Sequence, residues 1–417
     1  MTSIKINGGG RLEGDVVISG AKNACLPLLA CSLLTEQRLH LKNVPMQLED
    51  VKLMIELLKS LGKRVDLLQS NEVAISGSVS SVKAPYDYVR AMRASILVLG
   101  PLMTKEGEAN IPLPGGCNIG NRPINLHIDG LRLMGADIVI LNGVVSGRSE
   151  RLIASKISFS TVSVTGTQNL IMAATLAKGV TQIFNYALEP EVIELIACLN
   201  MMGAKIKVLP YGLEIEGVES LRGATYEIGP DRIEFATYLI ASVVTNGKVS
   251  IVVPVNDYIQ RTLDQLLPIG FTFDRKDNLI KVEMNGSSIY PLSFSTSPYP
   301  GMATDTQPML CVVNSLANGP SVIKETIFEN RFQHLSELAR LGSTYEVIKN
   351  EIHFKGNDRF KGVEVRATDL RAAAAMIIGG LAAEGETIIT DADYIFRGYE
   401  AVVDKLQALG VEIELLN

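Results

Sequence analysis

A leucine-rich helix end, a glycine and a short alternating strand recur six times along this chain. The glycines lie about 70 residues apart, so repeats of one size account for the 417 residues. A glycine in this place is typical of the left-handed position that ends a helix. The pattern before it predicts an outer helix with one apolar face, and the pattern after it predicts a half-buried strand. The six are Gly62, Gly135, Gly203, Gly270, Gly342 and Gly410.

Each repeat also contains a segment that is apolar on nearly all sides, which predicts a buried helix. These segments are 26–34, 94–103, 170–177, 235–244, 309–316 and 372–383. The polar residues that precede them are also in phase with the repeat, and include Lys22, Asn23, Arg93, Thr165 to Asn169, Asp231, Arg232, Asp305, Asp369 and Arg371. N-capping explains Thr and Asp at a helix start, but Lys and Arg there oppose the helix dipole. We therefore expect the helix starts to converge on an anionic ligand, with N-capping as the alternative role.

Residues 112–127 read PLPGGCNIGNRPINLH, and their three glycines and three prolines predict a shaped loop rather than a regular element. Arg122 follows Cys117 by five residues. A neighbouring cation favours the thiolate and so raises the reactivity of a cysteine. The alternative is a surface turn with an incidental cysteine.

Composition excludes several classes of protein. A formal net charge of -6, the absence of a basic block and an aromatic content of 6% argue against nucleic-acid binding. The N-terminus lacks a signal pattern, and the longest apolar run, 372–383, is shorter than the ~20 residues of a membrane helix. Five scattered cysteines without a C-x-x-C pair argue against disulfides and zinc. We expect a cytoplasmic protein of two domains, without metal or organic cofactor and without a membrane or nucleic-acid partner.

Eight segments match one protein family in order along the chain: SGAKNA (19–24), MRAS (92–95), LPGGCNIGNRP (113–123), PDRIE (230–234), TDTQ (304–307), FENRF (328–332), ATDLRA (367–372) and RGYE (397–400). With them the chain resembles the UDP-N-acetylglucosamine enolpyruvyl transferases, and the cysteine loop is the most specific segment. The resemblance implies a two-domain inside-out α/β barrel with three repeats per domain. One domain is then 22–229, and the other is 1–21 plus 230–417.

The resemblance also implies a reaction, in which enolpyruvyl passes from phosphoenolpyruvate to the 3′-hydroxyl of UDP-N-acetylglucosamine and phosphate is released. This is the first committed step of peptidoglycan synthesis, and fosfomycin would alkylate Cys117. The implied catalytic residues are Cys117 as the acid, Asp305 as the base, Lys22 and Arg397. Phosphoenolpyruvate would be bound by Lys22, Asn23, Arg122, Arg331, Asp369, Arg371 and Arg397. Arginine forks suit the carboxylate of this substrate, and several cations suit its phosphate.

The nucleotide sugar would be bound by Asn23, Arg93, Arg122, Pro123, Ile124, Asn125, Leu126, Ser163, Val164, Thr165, Gly166, Asp305 and Ile327. Two positions depart from the family pattern. Asn125 replaces the usual Asp, and Ser-Val-Thr-Gly-Thr at 163–167 replaces Ser-Val-Gly-Ala-Thr. We expect the protein to be a monomer. Two alternative functions remain beside this enzyme activity. One is the transferase that acts on shikimate 3-phosphate, and the other is a non-catalytic relative that binds nucleotide sugars.

Overall fold

A computed structural model describes residues 2–69, 71–115, 124–284 and 288–416. Helices and strands are mixed throughout these residues, which confirms the predicted α/β class. They divide into two compact units. The first unit contains the described residues of 1–19 and 230–417, and the second contains those between 20 and 229. In these described parts of the chain, no helix is both long enough and apolar enough to cross a membrane.

The strands are short, most of them with four to six residues. In the described residues they are β1 (Ser3–Gly8), β2 (Glu13–Val17), β3 (Leu39–Lys42), β4 (Arg64–Leu67), β5 (Val73–Ser76), β6 (Glu108–Pro112), β7 (Asp137–Leu141), β8 (Val144–Arg148), β9 (Lys156–Ser158), β10 (Val180–Phe184), β11 (Lys205–Leu209), β12 (Gly212–Glu216), β13 (Ala224–Glu227), β14 (Lys248–Val252), β15 (Thr272–Lys276), β16 (Leu279–Glu283), β17 (Phe294–Ser295), β18 (Ser321–Lys324), β19 (Tyr345–Ile348), β20 (Glu351–Phe354), β21 (Glu364–Arg366), β22 (Gly385–Thr390) and β23 (Glu412–Leu416).

The helices alternate with these strands along the chain. They are α1 (Lys22–Ala30), α2 (Glu49–Ser60), α3 (Tyr86–Ala91), α4 (Leu99–Lys105), α5 (Asn125–Leu133), α6 (Val164–Ala174), α7 (Pro190–Met201), α8 (Arg232–Val244), α9 (Asp257–Leu266), α10 (Gln307–Leu316), α11 (His334–Leu341), α12 (Leu370–Ala382) and α13 (Val402–Ala408). Short 3₁₀ segments cover Cys31–Leu34, Arg93–Val98, Leu267–Ile269 and Ala392–Arg397.

The sheets of the described chain share one pairing pattern. In five of them, three neighbouring strands pair antiparallel, and a fourth strand pairs in parallel with the strand at one end of these three. In the sixth sheet, β6-β8-β7, a single parallel bridge between Lys83 and Asn110 takes the place of the fourth strand. The first unit contains the orders β21-β22-β1-β23, β15-β16-β14-β2 and β17-β18-β20-β19, and the second contains β11-β12-β10-β9, β13-β3-β5-β4 and β6-β8-β7.

The six periodic glycines end helices, as the sequence predicts. All of them have φ between 84° and 119°, a region that side chains with a Cβ rarely adopt. The strand that follows each glycine lies at an edge of its sheet, and these strands are β4, β7, β11, β15, β19 and β23. The prediction of a helix end, a left-handed glycine and a following strand is therefore confirmed at each of the six places. These strands are more exposed than predicted, because they lie at sheet edges: β7, β11 and β23 each contain one buried residue, and β4, β15 and β19 contain none.

Nearly fully buried helices lie at the centre of each unit, as predicted. In the first unit, α8, α10 and α12 pack against one another. In the second, the segment from residue 93 to 105 packs against both α1 and α6, and this segment is a 3₁₀ turn followed by α4. Each unit thus has its own apolar core. The polar residues that precede the buried helices are fixed by those helices.

Candidate active site

In the first unit, Asp305 holds two buried arginines. Its Oδ1 lies 3.0 Å from Nη1 of Arg331, and its Oδ2 accepts a hydrogen bond of 2.8 Å from Nη2 of Arg371. The two arginines are only 3% and 5% exposed. Asp305 lies just before the buried helix α10, which begins at Gln307 and has Thr306 as its N-cap residue. The two arginine contacts give Asp305 an ion-pair role in addition to the N-cap alternative.

Arg371 lies in the first turn of α12, and Asp369 caps this helix by accepting from the backbone N–H of Arg371 at 2.8 Å. The guanidinium of Arg371 also donates to the hydroxyl of Tyr399 at 3.2 Å. Burial opposes the charge of Arg371, but Asp305, Tyr399 and Asp231 outweigh burial and hold its pKa above the ordinary value. Arg371 is therefore a fixed cation.

Arg331 has unused capacity to bind an anion. Its Nε has no hydrogen-bond partner among the described residues, and its contact with Asp305 is close without the geometry of a hydrogen bond. The guanidinium carbon lies 5.6 Å from the ring centre of Phe328. Burial lowers the pKa of the neighbouring His334 to about 4, and Arg331 acts in the same direction. His334 is thus neutral near pH 7, and the positive charge here belongs to the arginine.

Two further predicted residues of this unit lie on short ordered segments. Ile327 follows β18, and its backbone N–H donates to Oε1 of the buried Glu325 at 2.8 Å. The same carboxylate accepts from the hydroxyl of Thr304 at 3.0 Å, so it fixes the residue before Asp305. Arg397 is the last residue of the 3₁₀ segment Ala392–Arg397, where the negative end of the backbone dipoles favours a cation.

In the second unit, Lys22 is the first residue of α1 and is 9% exposed. Its Nζ lies 3.1 Å from Oδ2 of Asp50, a buried residue in the first turn of α2. Asn23 follows Lys22 on the same helix and is partly exposed. Arg93 is the first residue of the 3₁₀ segment Arg93–Val98. Both cations therefore precede or begin buried helices, as the sequence indicates.

The remaining predicted residues of this unit lie in the first turns of α5 and α6. Ile124 is the N-cap of α5, and Asn125 and Leu126 are its first two residues. In α6, the hydroxyl of the N-cap Ser163 accepts from the backbone N–H of Gly166 at 3.1 Å, and Val164 and Thr165 lie between them. Among the described residues, no partner is found for the backbone N–H groups of Val164 and Thr165, so these groups can donate to an anion.

Three predicted site residues, Cys117, Arg122 and Pro123, lie outside the described residues. In the described ranges, no group of three or more His, Cys, Asp or Glu side chains could hold a metal ion.

Sequence reasoning missed the partners of several site residues. Asp50 gave no signal, because acidic residues in the first turn of an outer helix are common and exposed. Tyr399 stands in the RGYE segment, and this motif is the signal that could have indicated it. Nothing local to His334 or Glu325 indicates burial.

Comparison with known proteins decides the family. The sequence model of the EPSP synthase (3-phosphoshikimate 1-carboxyvinyltransferase) family matches residues 6–406. A UDP-N-acetylglucosamine 1-carboxyvinyltransferase from Magnetococcus marinus is 45% identical over 419 residues, which is 100% of both chains. The enzyme of that name from Idiomarina loihiensis is 46% identical over 417 residues, 99% of each chain. The chain belongs to the UDP-N-acetylglucosamine 1-carboxyvinyltransferase family.

Solved structures agree on the fold. The enolpyruvyl transferase NikO from Streptomyces tendae superposes with a TM-score of 0.88 at 24% identity, over 99% of this chain and 98% of that one. An EPSP synthase from Acinetobacter baumannii has a TM-score of 0.78 at 17% identity over the full length of both chains. At these identities they show the fold alone. The UDP-N-acetylglucosamine 1-carboxyvinyltransferases are much closer in sequence than the EPSP synthase of known structure.

Proposed function

We propose that this protein transfers enolpyruvyl from phosphoenolpyruvate to the 3′-hydroxyl of UDP-N-acetylglucosamine and releases phosphate, in peptidoglycan synthesis. The observation that carries the proposal is the full-length identity of 45–46% with enzymes of that name. The buried cluster of Asp305, Arg331 and Arg371 supports it, since a small substrate with a carboxylate and a phosphate needs fixed cations.

The carboxylate of phosphoenolpyruvate pairs with Arg331 and Arg371 in this proposal. Both guanidinium groups are buried, and the Nε–H of Arg331 is a donor without a described partner. A buried donor of this kind gains more from a charged acceptor than an exposed one does. Asp369 fixes the backbone that carries Arg371. The phosphate is assigned to Lys22, Arg122 and Arg397, and Asn23 contacts it or the adjacent sugar hydroxyl.

The chemistry is an addition followed by an elimination. The sugar hydroxyl attacks C2 of phosphoenolpyruvate and gives its proton to Asp305, while Cys117 delivers a proton to C3. The adduct then loses a proton from C3 and expels phosphate, which restores the double bond. Two arginines beside Asp305 favour its ionised form, and a carboxylate must be ionised to accept a proton.

The nucleotide sugar is assigned to the first turns of α5 and α6, with Arg93, Arg122, Pro123, Ile327, Asn23 and Asp305. The residues of the two turns are Ile124, Asn125 and Leu126, and Ser163, Val164, Thr165 and Gly166. Backbone N–H groups at the start of α6 suit a diphosphate, because they donate at the positive end of the helix. Asn125 offers an uncharged amide where the family pattern has a carboxylate, so it can donate as well as accept.

For the architecture, we propose the inside-out barrel of six repeats, with 22–229 as one domain and 1–21 plus 230–417 as the other. The recurring sheet pattern and the six left-handed glycines support the repeat. Pairing of β1 with β22 and β23 supports the assignment of the N-terminal strand to the last repeat. We further propose a cytoplasmic monomer that requires no metal or cofactor.

Phosphate release tests the function. The purified protein should release phosphate from phosphoenolpyruvate when UDP-N-acetylglucosamine is added, and none when shikimate 3-phosphate is added instead. Release only with shikimate 3-phosphate would identify the sister enzyme. Binding of the nucleotide sugar without any release would identify a non-catalytic relative.

A further inference from the structure

A buried histidine in the second unit is bonded through both ring nitrogens. His127 lies in α5 and is 3% exposed. Its Nδ1 is 2.9 Å from Nδ2 of Asn169, and its Nε2 is 3.3 Å from Oγ1 of Thr165. Asn169 and Thr165 belong to α6. The network thus joins the first turn of α5 to the first two turns of α6, and the starts of both helices belong to the proposed site for the nucleotide sugar.

The orientation of the Asn169 amide is fixed by the backbone. Its Oδ1 accepts from the N–H of Gly100 at 2.6 Å, and its Nδ2 donates to the carbonyl of Ile96 at 2.9 Å. A backbone N–H can only donate and a carbonyl can only accept, so the amide cannot be reversed. Its second N–H therefore donates to Nδ1 of His127, and this ring nitrogen must carry no proton.

The proton of the neutral ring then lies on Nε2. Burial lowers the pKa of His127 to about 3, and Arg93 acts in the same direction, so the ring is neutral at physiological pH. Nε2–H donates to Oγ1 of Thr165. The hydroxyl of Thr165 thus accepts from inside the protein, and no acceptor for its own proton is found among the described residues.

We propose that His127 and Asn169 are positioning residues that hold the hydroxyl of Thr165 as a hydrogen-bond donor to the diphosphate of the nucleotide sugar. The inference rests on the proposed function and deepens it. Thr165 is also one of the two residues, with Gly166, by which this chain departs from Ser-Val-Gly-Ala-Thr. A glycine at position 165 has no hydroxyl to donate. The hydroxyl of Thr165 therefore gives this chain one hydrogen-bond donor more than that motif provides.

Calorimetric titration of Thr165→Val tests the donor. Valine keeps the shape of threonine without the hydroxyl, and a hydrogen bond to a charged group is worth tenfold or more in affinity. We expect UDP-N-acetylglucosamine and UDP to bind at least ~10-fold more weakly, with little change in the KM for phosphoenolpyruvate. Thr165→Ser should keep the wild-type affinity. Thr225→Val, on the exposed face of β13, is the matched control and should bind as wild type. Unchanged affinity in Thr165→Val would overturn the proposal.

A double-mutant cycle tests the positioning role. If His127 acts through Thr165, His127→Phe weakens UDP binding in the wild-type background and has no further effect in Thr165→Val. An equal loss in both backgrounds would show a structural role only. The tautomer can be read without any variant, from ¹⁵N spectra of histidine-labelled protein. A proton on Nδ1 of His127 would also overturn the proposal. If the wild-type protein releases no phosphate, the proposed function itself is refuted. If the wild type is active and Thr165→Val binds UDP-N-acetylglucosamine as the wild type does, only this inference is refuted.

Discussion

Asp305→Asn separates the charge of this residue from its shape. Asn keeps the size and one acceptor oxygen of the side chain, but it cannot neutralise Arg331 and Arg371. At about 4 Å between charge centres and an effective dielectric constant near 20, each pair contributes about 4 kcal/mol before desolvation. Measured losses for one broken buried pair are about 3–5 kcal/mol. We therefore expect the free variant to lose about 3–5 kcal/mol of unfolding free energy.

Calorimetry of the ligand-free protein measures this loss as a shift in melting temperature. For a unit of about 200 residues, each kcal/mol corresponds to roughly 2–4 °C, so the transition of the first unit should fall by roughly 10 °C. Glu351→Gln is the matched control. It breaks a contact of 3.1 Å with Lys324 in which the two side chains are 34% and 46% exposed, and such a pair contributes about 1 kcal/mol at most.

Two further measurements identify the cause of the loss. Inorganic phosphate should raise the melting temperature of Asp305→Asn more than that of the wild type, because the variant leaves two cations without their carboxylate. Turnover should fall by at least ~100-fold, the low end for the loss of a general base. A variant that melts within about 2 °C of the wild type, with no added response to phosphate, would refute the electrostatic reasoning. Retained turnover would refute the base.

Three other outcomes follow from single residues. Cys117→Asp should retain substantial phosphate release and resist fosfomycin. Cys117→Ala should lose phosphate release, because only a side chain that can carry a proton can act as the acid. A folded but inactive Asp variant would contradict this. Burial raises the pKa of Glu234 to about 7 despite its contact with Lys405, so the folded state binds a proton that the unfolded state releases. The unfolding free energy should therefore fall by about 3 kcal/mol as the pH rises from about 4.5 to 7. Urea titrations at several pH values should show this loss in the wild type and not in Glu234→Gln. Gly100→Ala should lower the melting temperature, with a cost of about 2 kcal/mol or more, because its Cβ would lie 2.3 Å from two oxygens of Asn169.

The repeat could be predicted because it depends on local chemistry. A helix end, a left-handed glycine and a short strand are each determined by a few adjacent residues, so Gly62 and Gly410 carry the same signal. The buried helices followed from composition for the same reason. Segment 94–103 was the least regular, since its first part is a 3₁₀ turn and only the remainder is α-helical.

Partners across the fold could not be predicted in the same way. Arg331 and Arg371 reach Asp305 from 26 and 66 residues away. The second separation is close to one repeat, but equal positions in two repeats do not by themselves indicate that the side chains meet. The sequence indicates that Asp305 precedes a buried helix, which fits a cap and an ion pair equally well. Lys22 and Asp50 show the same limit, because the pairing depends on how α1 packs on α2.

In the first unit, a cation at a helix start does not by itself indicate an anionic ligand. Arg371 opposes the dipole of α12, but Asp369 caps that helix and Asp305 binds the guanidinium, so this cation is tolerated without a substrate. A cation at a helix start is therefore weak support for an anion site. Arg331 is stronger support, because it brings a second buried guanidinium to the same carboxylate and keeps an N–H without a described partner. Two arginines exceed what one carboxylate can satisfy, and a substrate carboxylate would complete their hydrogen bonds while Asp305 stays beside the reacting hydroxyl.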